Sequence, residues 1–293
     1  MAHNHSHHHV HNDSRLLGRA FFLIATFMVV ELVAGLLTNA LVLIADAGHM
    51  FLDATALGLS WWAARISAKG FDQNLSYGYH RFQVLAAFIN GLTLIALVVW
   101  IAFEAVTRFA APEPILPLPA LAVAALGFII NLVAFKWLHG TSGSANIRSA
   151  MLHVLGDLLG SAAAILAALC VYLFGWLYAD PILALVIIAI LGRGAYRVLK
   201  ESTHILLEGV PQNVDLAEIK HALCASIPQV QEVHHVHAWA LTAEKPLLTL
   251  HALVSEQAQV QSVTAEIKSV LSRDFGIAHS TIQVETGPCP DDH

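Results

Sequence analysis

The sequence predicts an α-helical membrane protein with six transmembrane helices and a small α+β cytoplasmic domain. Hydrophobic residues make up 57% of the chain and charged residues only 12%, whereas soluble proteins average about 25% charged residues. Six apolar runs precede residue 200, each close to the ~20 residues that cross a bilayer. Charged residues then return and the apolar runs shorten. We therefore divide the chain into a membrane domain, residues 15–200, and a soluble domain, residues 201–293.

Turn residues bound the six predicted spans. The connection at Thr38-Asn39-Ala40 predicts a tight hairpin between the first two helices. Asp180-Pro181 is typical of a helix start, with Asp180 as N-cap of the sixth helix. The spans cover residues 16–38, 41–64, 82–108, 116–138, 149–174 and 178–199.

The first fourteen residues form a separate His-rich segment. Residues 1–14 have little apolar content, which predicts a disordered tail. A purification tag is one interpretation, but Asn4, Ser6 and Val10 interrupt the histidines and favour a native, metal-catching tail.

Basic residues in the loops predict the orientation of the spans. With the N-terminus in the cytoplasm, ten Lys and Arg residues of the membrane domain and tail fall on the inner side, and Arg108 lies near the outer side. Both termini are then cytoplasmic, in a multi-pass protein of the cell membrane.

The soluble domain predicts the element order αββαβ. Its first helix, residues 215–226, begins with Asp215 as cap and Glu218 three residues later. Predicted strands at 230–242 and 247–254, a helix at 258–274 and a strand at 281–285 follow. This order favours a ferredoxin-like sheet with both helices on one face. A domain this small buries a modest core, so we expect it to dimerise.

Several functional classes are excluded. The formal charge of −6 comes without a basic patch, which argues against nucleic-acid binding. Cys170, Cys224 and Cys289 are too far apart for a CxxC site or a disulfide framework. The chain has no phosphate-binding loop, His-Glu-x-x-His or Gly-x-Ser-x-Gly motif. We therefore expect neither an enzyme nor an ATP-driven pump.

Two matched pairs of ionisable residues lie inside the predicted spans, where such residues mark functional sites. His49 and Asp53 are one helical turn apart in the second span, and His153 and Asp157 repeat the spacing in the fifth. Imidazole and carboxylate bind Zn²⁺, usually with four ligands in a tetrahedron. Two helices with two ligands each would complete that shell. The alternative is that the pairs tie the helices together by hydrogen bonds.

Asp46 shares the helical face of His49 and Asp53, but a four-ligand shell is filled without it. We therefore expect Asp46 to support the site or its packing. The remaining polar residues in the spans are interpreted as interhelical hydrogen-bonding groups: Glu31, Asn39, Asn90, Glu104 and Asn131.

Two further metal sites are candidates outside the membrane. His234, His251 and Glu285 lie on the three predicted strands, and surface histidines without metal are the alternative. Asp72 and His80 lie in the loop before the third span, where a solvated loop is the alternative.

Strand alternation predicts which histidines share a face. It places His235 and His237 on one face of the first strand, and His234 with Val236 on the other.

Taken together, these features resemble the cation diffusion facilitator family of divalent-metal/proton antiporters, particularly its bacterial zinc exporters. The resemblance covers nearly the whole chain. Its motifs are the His-rich head, the two His-x-x-x-Asp pairs, Tyr77-Gly78-Tyr79-His80-Arg81-Phe82, Leu206-Leu207-Glu208-Gly209-Val210-Pro211 and His234-His235-Val236-His237-Ala238-Trp239-Ala240-Leu241.

The resemblance implies a homodimer in the cell (inner) membrane, with alternating access in each protomer. It implies that His49, Asp53, His153 and Asp157 bind the transported ion. Members with His/Asp pairs are typically selective for Zn²⁺ and Cd²⁺, in line with imidazole being a softer ligand than carboxylate. Protons are the counter-ion.

The resemblance also bears on the soluble domain. His234 and His251 align with histidines of a family metal site and Glu285 stands near a family Asp, whereas Gln283 stands at a further His position. Arg81 and Glu208 match a charge pair that locks the membrane and soluble domains together.

The loop site matches less completely. Leu75 and Tyr79 stand where the family has ligands beside Asp72 and His80.

Competition for ligands gives the expected mechanism. Zn²⁺ needs deprotonated ligands, so protons and metal exclude one another, and imidazole titrates near neutral pH. The sequence thus predicts export of Zn²⁺, and of Cd²⁺, in exchange for protons. A membrane-anchored metal sensor and a metal importer are the alternatives. A sensor needs no ligands deep in the spans, which favours transport.

Overall fold

The computed structural model describes the backbone of residues 7–67, 73–139 and 145–289. The chain forms two compact units. One comprises Met1–Gly58 and Ile89–Arg197, and the other comprises Leu59–Phe88 and Val198–His293. Some helical side chains, among them those of Asp53 and His153, lie outside the description.

Within the described residues, six long helices occupy the predicted spans. Four helical segments are long and apolar enough to cross a membrane: Arg81–Ala110, Pro117–Trp137, Val154–Phe174 and Ala179–Leu206. The membrane helical domain is therefore confirmed, while crossing by the first two helices stays a prediction. The helices are α1 (His7–Thr38), α2 (Leu41–Ser67), α3 (Arg81–Ala110), α4 (Pro117–His139), α5 (Ala145–Phe174) and α6 (Ala179–Leu206).

The first helix begins earlier than the sequence predicted. Residues 7–14 were expected to belong to a disordered tail, but α1 starts at His7. Extending an existing helix gains about one hydrogen bond for each residue fixed, so a long apolar helix can continue into a polar segment. Residues 1–6 of the predicted tail lie outside the described residues.

Small side chains allow the helices of the first unit to pack closely. Alanines of α4, α5 and α6 are buried beside the start of α2, and Ile101 and Ala105 of α3 join the same core. Small residues bring helix backbones together where no water drives their association. Large apolar side chains point outward instead, including Phe22, Phe103, Phe174 and Ile190, each more than two-thirds exposed. A bilayer covers such surfaces.

Asp180 caps a different helix from the one the sequence predicted. α6 begins at Ala179, so Asp180 lies inside its first turn. Its carboxylate accepts hydrogen bonds from the backbone N–H groups of Leu41 and Val42, at 2.9 and 3.2 Å. Asp180 therefore satisfies unpaired donors at the start of α2. The α1–α2 turn delivers those donors, with Asn39 in the left-handed region at φ 58°.

Arg108 of α3 joins the same polar network. Its guanidinium donates to the carbonyl oxygen and side-chain oxygen of Asn39, at 2.7 and 2.8 Å, and lies 3.4 Å from Asp180. Glu104, one turn earlier on α3, also pairs with Arg108, with its Oε1 3.2 Å from Arg108 Nε. Arg108 and Asp180 are 5% and 1% exposed. This buried ion pair links the ends of α2, α3 and α6.

Besides the ends of α2, α3 and α6, the described part of the second unit contains a three-stranded sheet and two further helices. Their order is α7 (Leu216–Ser226), β1 (Val230–Ala240), β2 (Pro246–Val254), α8 (Val260–Phe275) and β3 (His279–Glu285). β2 lies in the centre, antiparallel to β1 and parallel to β3. The predicted order αββαβ and the Asp215 cap are confirmed, since Asp215 Oδ1 accepts from Ala217 and Glu218 N–H.

One face of the sheet carries the core. α7 and α8 bury Ile219, Leu223, Ile267 and Leu271 against strand residues that include Leu250. Along β2, residues 248, 250, 252 and 254 point to this core. His251 alternates with them, so it points to the opposite face. The sheet therefore leaves one face for polar side chains.

Candidate metal-binding sites

The first candidate site lies on α2 and α5. The residues around the pairs, Ala45–Asp53 and His153–Asp157, contain no Pro and few β-branched residues, so both helices continue through them. His49 is half-buried and Asp157 is 0% exposed. The side chains of Asp53 and His153 lie outside the described residues, so the four-ligand arrangement stays a prediction.

Asp46 marks a close approach of the two helices. Its carboxyl group packs on Gly160 of α5, where an added Cβ atom would overlap Asp46 Oδ1. Ser161 of α5 and the carboxyl group of Glu31 on α1 also lie beside it. Asp46 therefore supports the packing beside the candidate site, as the sequence predicted.

Buried acidic side chains from three helices surround this point. Glu31 of α1, Asp46 of α2 and Asp157 of α5 are each at most 2% exposed, and they lie near one another. Buried carboxylates need protons or a counter-charge. The cluster suits a divalent cation, or the protons that replace it. The sequence identified Glu31 only as an interhelical hydrogen-bonding residue, since nothing in its spacing relates it to the other two.

The second candidate site lies on the polar face of the sheet. His234 of β1 pairs in register with His251 of β2, which pairs with Gln283 of β3. Glu285 follows two residues later on the same face as Gln283. Strand pairing therefore brings together His234, His251 and Glu285, which are far apart in the sequence.

A β-bulge corrects the predicted alternation along β1. The register of β1 shifts between His234 and His237, and His235 has φ 46°. The extra residue sends Val236 into the core beside Val233, while His234 joins the polar cluster. The prediction that His234 and Val236 share a face is wrong, because a bulge breaks period-two alternation.

The ligand atoms of this cluster converge. His251 Nδ1 lies 2.9 Å from Glu285 Oε1, and His234 Nε2 lies 3.2 Å from Glu285 Oε2. Cys289, which the sequence analysis had not included, places its Sγ 3.4 Å from His251 Nδ1. One ligand atom from each of the four residues lies within 4.8 Å of every other. No spacing motif could have identified Cys289, because it lies beyond the last strand.

The surroundings of Glu285 favour the ionised form of its carboxyl group. Burial raises the pKa of Glu285, but hydrogen bonds from Gln283 and Cys289 and the nearby His234 and His251 rings outweigh that effect and hold it below its ordinary value. The carboxyl group is therefore ionised near neutral pH. Metal binding requires this state.

The loop before α3 offers a poor setting for a cation. His80 Nε2 lies 3.1 Å from the Lys245 ammonium nitrogen, which would repel a divalent ion. Asp72 lies outside the described residues.

Arg81 and Glu208 form an ion pair. Arg81 Nη2 lies 2.9 Å from Glu208 Oε1, with side chains 36% and 60% exposed. The contact connects the start of α3 with the segment that follows α6.

Family models match both parts of the chain. The model described as cation efflux transmembrane domain matches residues 17–207, and the model described as cation efflux protein, cytoplasmic domain, matches residues 211–287. The chain belongs to the cation efflux family. The resemblance inferred from the motifs is thus confirmed, because this family is that of the cation diffusion facilitators.

Relatives of this cation efflux protein span its whole length. The zinc transporter ZitB of Pectobacterium atrosepticum is 44% identical over 295 residues, covering 100% of this chain and 92% of the relative. The cadmium, cobalt and zinc/H(+)-K(+) antiporter of Bacillus velezensis is 38% identical over 292 residues, covering 98% and 92%.

A solved structure of a C-terminal domain is similar to part of this chain. The metal-bound C-terminal domain of the CzcD transporter from Cupriavidus metallidurans is 40% identical and covers 25% of this chain and 99% of its own, with a TM-score of 0.23.

Proposed function

We propose that this protein is a secondary transporter that exports Zn²⁺, and Cd²⁺, from the cytoplasm in exchange for protons. The observation that carries the proposal is the buried acidic cluster of Glu31, Asp46 and Asp157 beside His49. Intramembrane carboxylates are costly unless they bind a cation or a proton. The names of the relatives, a zinc transporter and a cadmium, cobalt and zinc antiporter, agree with this cargo.

In this proposal His49, Asp53, His153 and Asp157 bind the transported ion. Metal binding requires neutral imidazole and ionised carboxylate, so each arriving Zn²⁺ displaces protons and each arriving proton weakens the site. Alternating access exposes the ligands first to the cytoplasm and then to the other side. Inward proton movement therefore drives metal outward.

The proton gradient supplies enough energy for useful export. One net charge moving inward across about 100 mV releases about 2.3 kcal/mol. At about 1.4 kcal/mol per decade, that energy supports a roughly 50-fold metal gradient. An exchange that moves one net charge inward would therefore deplete cytoplasmic zinc substantially.

The proposal includes a topology and an assembly. All six long helices cross the cell (inner) membrane, and both termini are cytoplasmic, as the loop charges favour. Two protomers associate through their soluble domains, each with the ferredoxin-like order of elements. The Arg81–Glu208 pair links the start of α3 to the soluble domain. His234, His251 and Glu285 bind a second metal ion that regulates transport.

Metal flux in proteoliposomes tests the transport site. Asp157→Ala is expected to reduce zinc flux, followed with a zinc-sensitive dye with and without a pH gradient, to the liposome background. Asp157→Asn keeps the side-chain volume and covers the case in which the alanine variant fails to fold. Glu104→Gln is the matched control, because its carboxyl group is part-exposed and pairs with Arg108.

Three results would contradict the proposal. If Asp157→Ala transported zinc at the parent rate, the assignment of Asp157 to the transport site would be wrong. If zinc flux by the parent protein did not depend on the direction of the pH gradient, exchange for protons would be ruled out. If the parent protein gave no flux at all, a membrane-anchored sensor would be favoured.

A further inference from the structure

Cys289 lies against the polar face of the sheet. It follows the last strand by four residues, yet its Sγ lies 3.4 Å from His251 Nδ1. It is also half-buried, whereas Cys224 of α7 is exposed. Folding the chain back past β3 therefore adds a thiol to three potential metal ligands.

Several polar atoms of this cluster are buried without a hydrogen bond. They are both ring nitrogens of His234 and Oε2 of Glu285, a residue more than nine-tenths buried. His234 Nε2 and Glu285 Oε2 lie 3.2 Å apart, but their geometry does not make a hydrogen bond. A buried polar atom without a hydrogen-bond partner destabilises the fold. A bound ion would remove this destabilisation.

The spacing of the atoms matches a small tetrahedral ion. Bond lengths of about 2.0–2.3 Å to Zn²⁺ place neighbouring ligand atoms about 3.3–3.6 Å apart. His251 Nδ1 lies 2.9 Å from Glu285 Oε1 and 3.4 Å from Cys289 Sγ, and His234 Nε2 lies 3.2 Å from Glu285 Oε2. One ligand atom from each of the four residues lies within 4.8 Å of every other. The four residues would need only small side-chain movements to form a complete coordination shell.

Gln283 fixes the carboxylate in a suitable orientation. Its side-chain amide donates to Glu285 Oε1 at 2.9 Å, which leaves Oε2 facing His234. Hydrogen bonds of this kind orient ligands and strengthen metal sites. Gln283 therefore acts as a positioning residue, although it is itself a poor zinc ligand.

We infer that Cys289 is the fourth ligand of a mononuclear Zn²⁺ or Cd²⁺ site with His234, His251 and Glu285. The inference rests on the proposed cytoplasmic site for three ligands, and it does not depend on transport. On binding, the thiol loses its proton to solvent and the thiolate sulfur forms the bond to the metal. The thiolate favours soft ions, and the bond fastens the segment after β3 to the sheet.

Cadmium titration of the full-length protein in detergent tests the assignment. Asp157→Ala serves as the background, so that the proposed transport site is disabled. Bound Cd²⁺ is expected to produce a thiolate-to-cadmium charge-transfer band at a stoichiometry of one per chain. Cys289→Ser is expected to abolish the band and to weaken binding by more than about 10-fold. Cys224→Ser, the matched control, is expected to retain both.

Alkylation measures the same site without relying on cadmium. Excess Zn²⁺ is expected to slow maleimide labelling of Cys289, measured by peptide mass spectrometry, by at least about 10-fold because the thiolate is coordinated. Labelling of Cys224 should not change. His251→Ala is expected to remove the protection.

The possible failures are distinguishable. A full charge-transfer band in Cys289→Ser, or equal protection of Cys289 and Cys224, overturns the assignment of Cys289. Absent flux from the parent protein with a normal band overturns the transport proposal and leaves this site intact.

Discussion

At the scale of single residues, Gly160 shows how a missing side chain shapes the transport region. The Asp46 carboxyl group occupies the space that a Cβ atom at Gly160 would need. The helix that carries His49 and Asp53 is therefore held against the helix that carries His153 and Asp157. Gly156, one turn earlier on α5, has no neighbour within 4 Å of an added Cβ atom.

Gly160→Ala is expected to destabilise the protein by about 1–3 kcal/mol through overpacking. It should also lower zinc flux, because the two helices that carry the proposed ligands must move apart. Thermal unfolding in detergent and dye-based flux measure the two effects. Gly156→Ala is the control and should match the parent in both. Equal behaviour of the two variants would show that the close approach is unimportant.

Residue spacing predicted the transport candidates but not all of the soluble cluster. His49, Asp53, His153 and Asp157 were identifiable because ionisable residues in an apolar helix stand out and repeat with helical period. His234, His251 and Glu285 were named from their strands. Cys289 was missed because its position depends on how the chain turns after β3, which no local pattern encodes.

At the scale of elements, Asp180 shows that a capping residue can serve a neighbouring helix. The Asp-Pro pair correctly predicted the start of α6, but the carboxylate accepts from the first N–H groups of α2. Sequence patterns relate a cap only to the residues that follow it. The β-bulge at His234–His237 is a similar case, since its extra residue left no mark that alternation could detect.

Asp180→Ala is expected to destabilise the protein by about 3–5 kcal/mol, because it removes the buried carboxylate of the ion pair and leaves Arg108 only the more exposed Glu104 and Glu113. Loss of the α2 cap adds to this effect. The shift in thermal unfolding of the detergent-purified protein measures it.

Glu113→Ala offers a control in the same network. Its carboxylate is 55% exposed and lies 3.9 Å from Arg108, so its removal should cost less than about 1 kcal/mol. A comparable loss in both variants would mean that burial does not set the strength of these contacts.

At the scale of the whole molecule, composition predicted the class correctly. The low charge content and the apolar runs anticipated the membrane helices, and the return of charge after residue 200 anticipated the sheet domain. The span count and the dimer are statements about a bilayer and a second chain, so one protomer cannot establish them. The Arg81–Glu208 pair is the testable link between the start of α3 and the soluble domain.

A double-mutant cycle on Arg81→Ala and Glu208→Ala is expected to give a coupling of about 0.2–1 kcal/mol in unfolding free energy, as for other exposed pairs. Either single variant should lower zinc flux, and the double variant should lower it no further. Arg273→Ala with Asp274→Ala, an exposed pair on α8, should leave flux unchanged. Strictly additive effects at Arg81 and Glu208 would argue that the contact has no function.

The polar network of Asn39, Arg108 and Asp180 anchors the start of α2, so a tilt of this helix would pivot about that end. His49 and Asp53 lie about 12 and 18 Å along the helix from Leu41, at about 1.5 Å per residue. A tilt of about 10° around that end moves the backbone at Asp53 by about 3 Å, more than the Zn–O bond length of about 2.0–2.2 Å. In the proposed mechanism a small rotation of α2 would therefore be enough to release the ion, because the displacement of the backbone grows with its distance from Leu41.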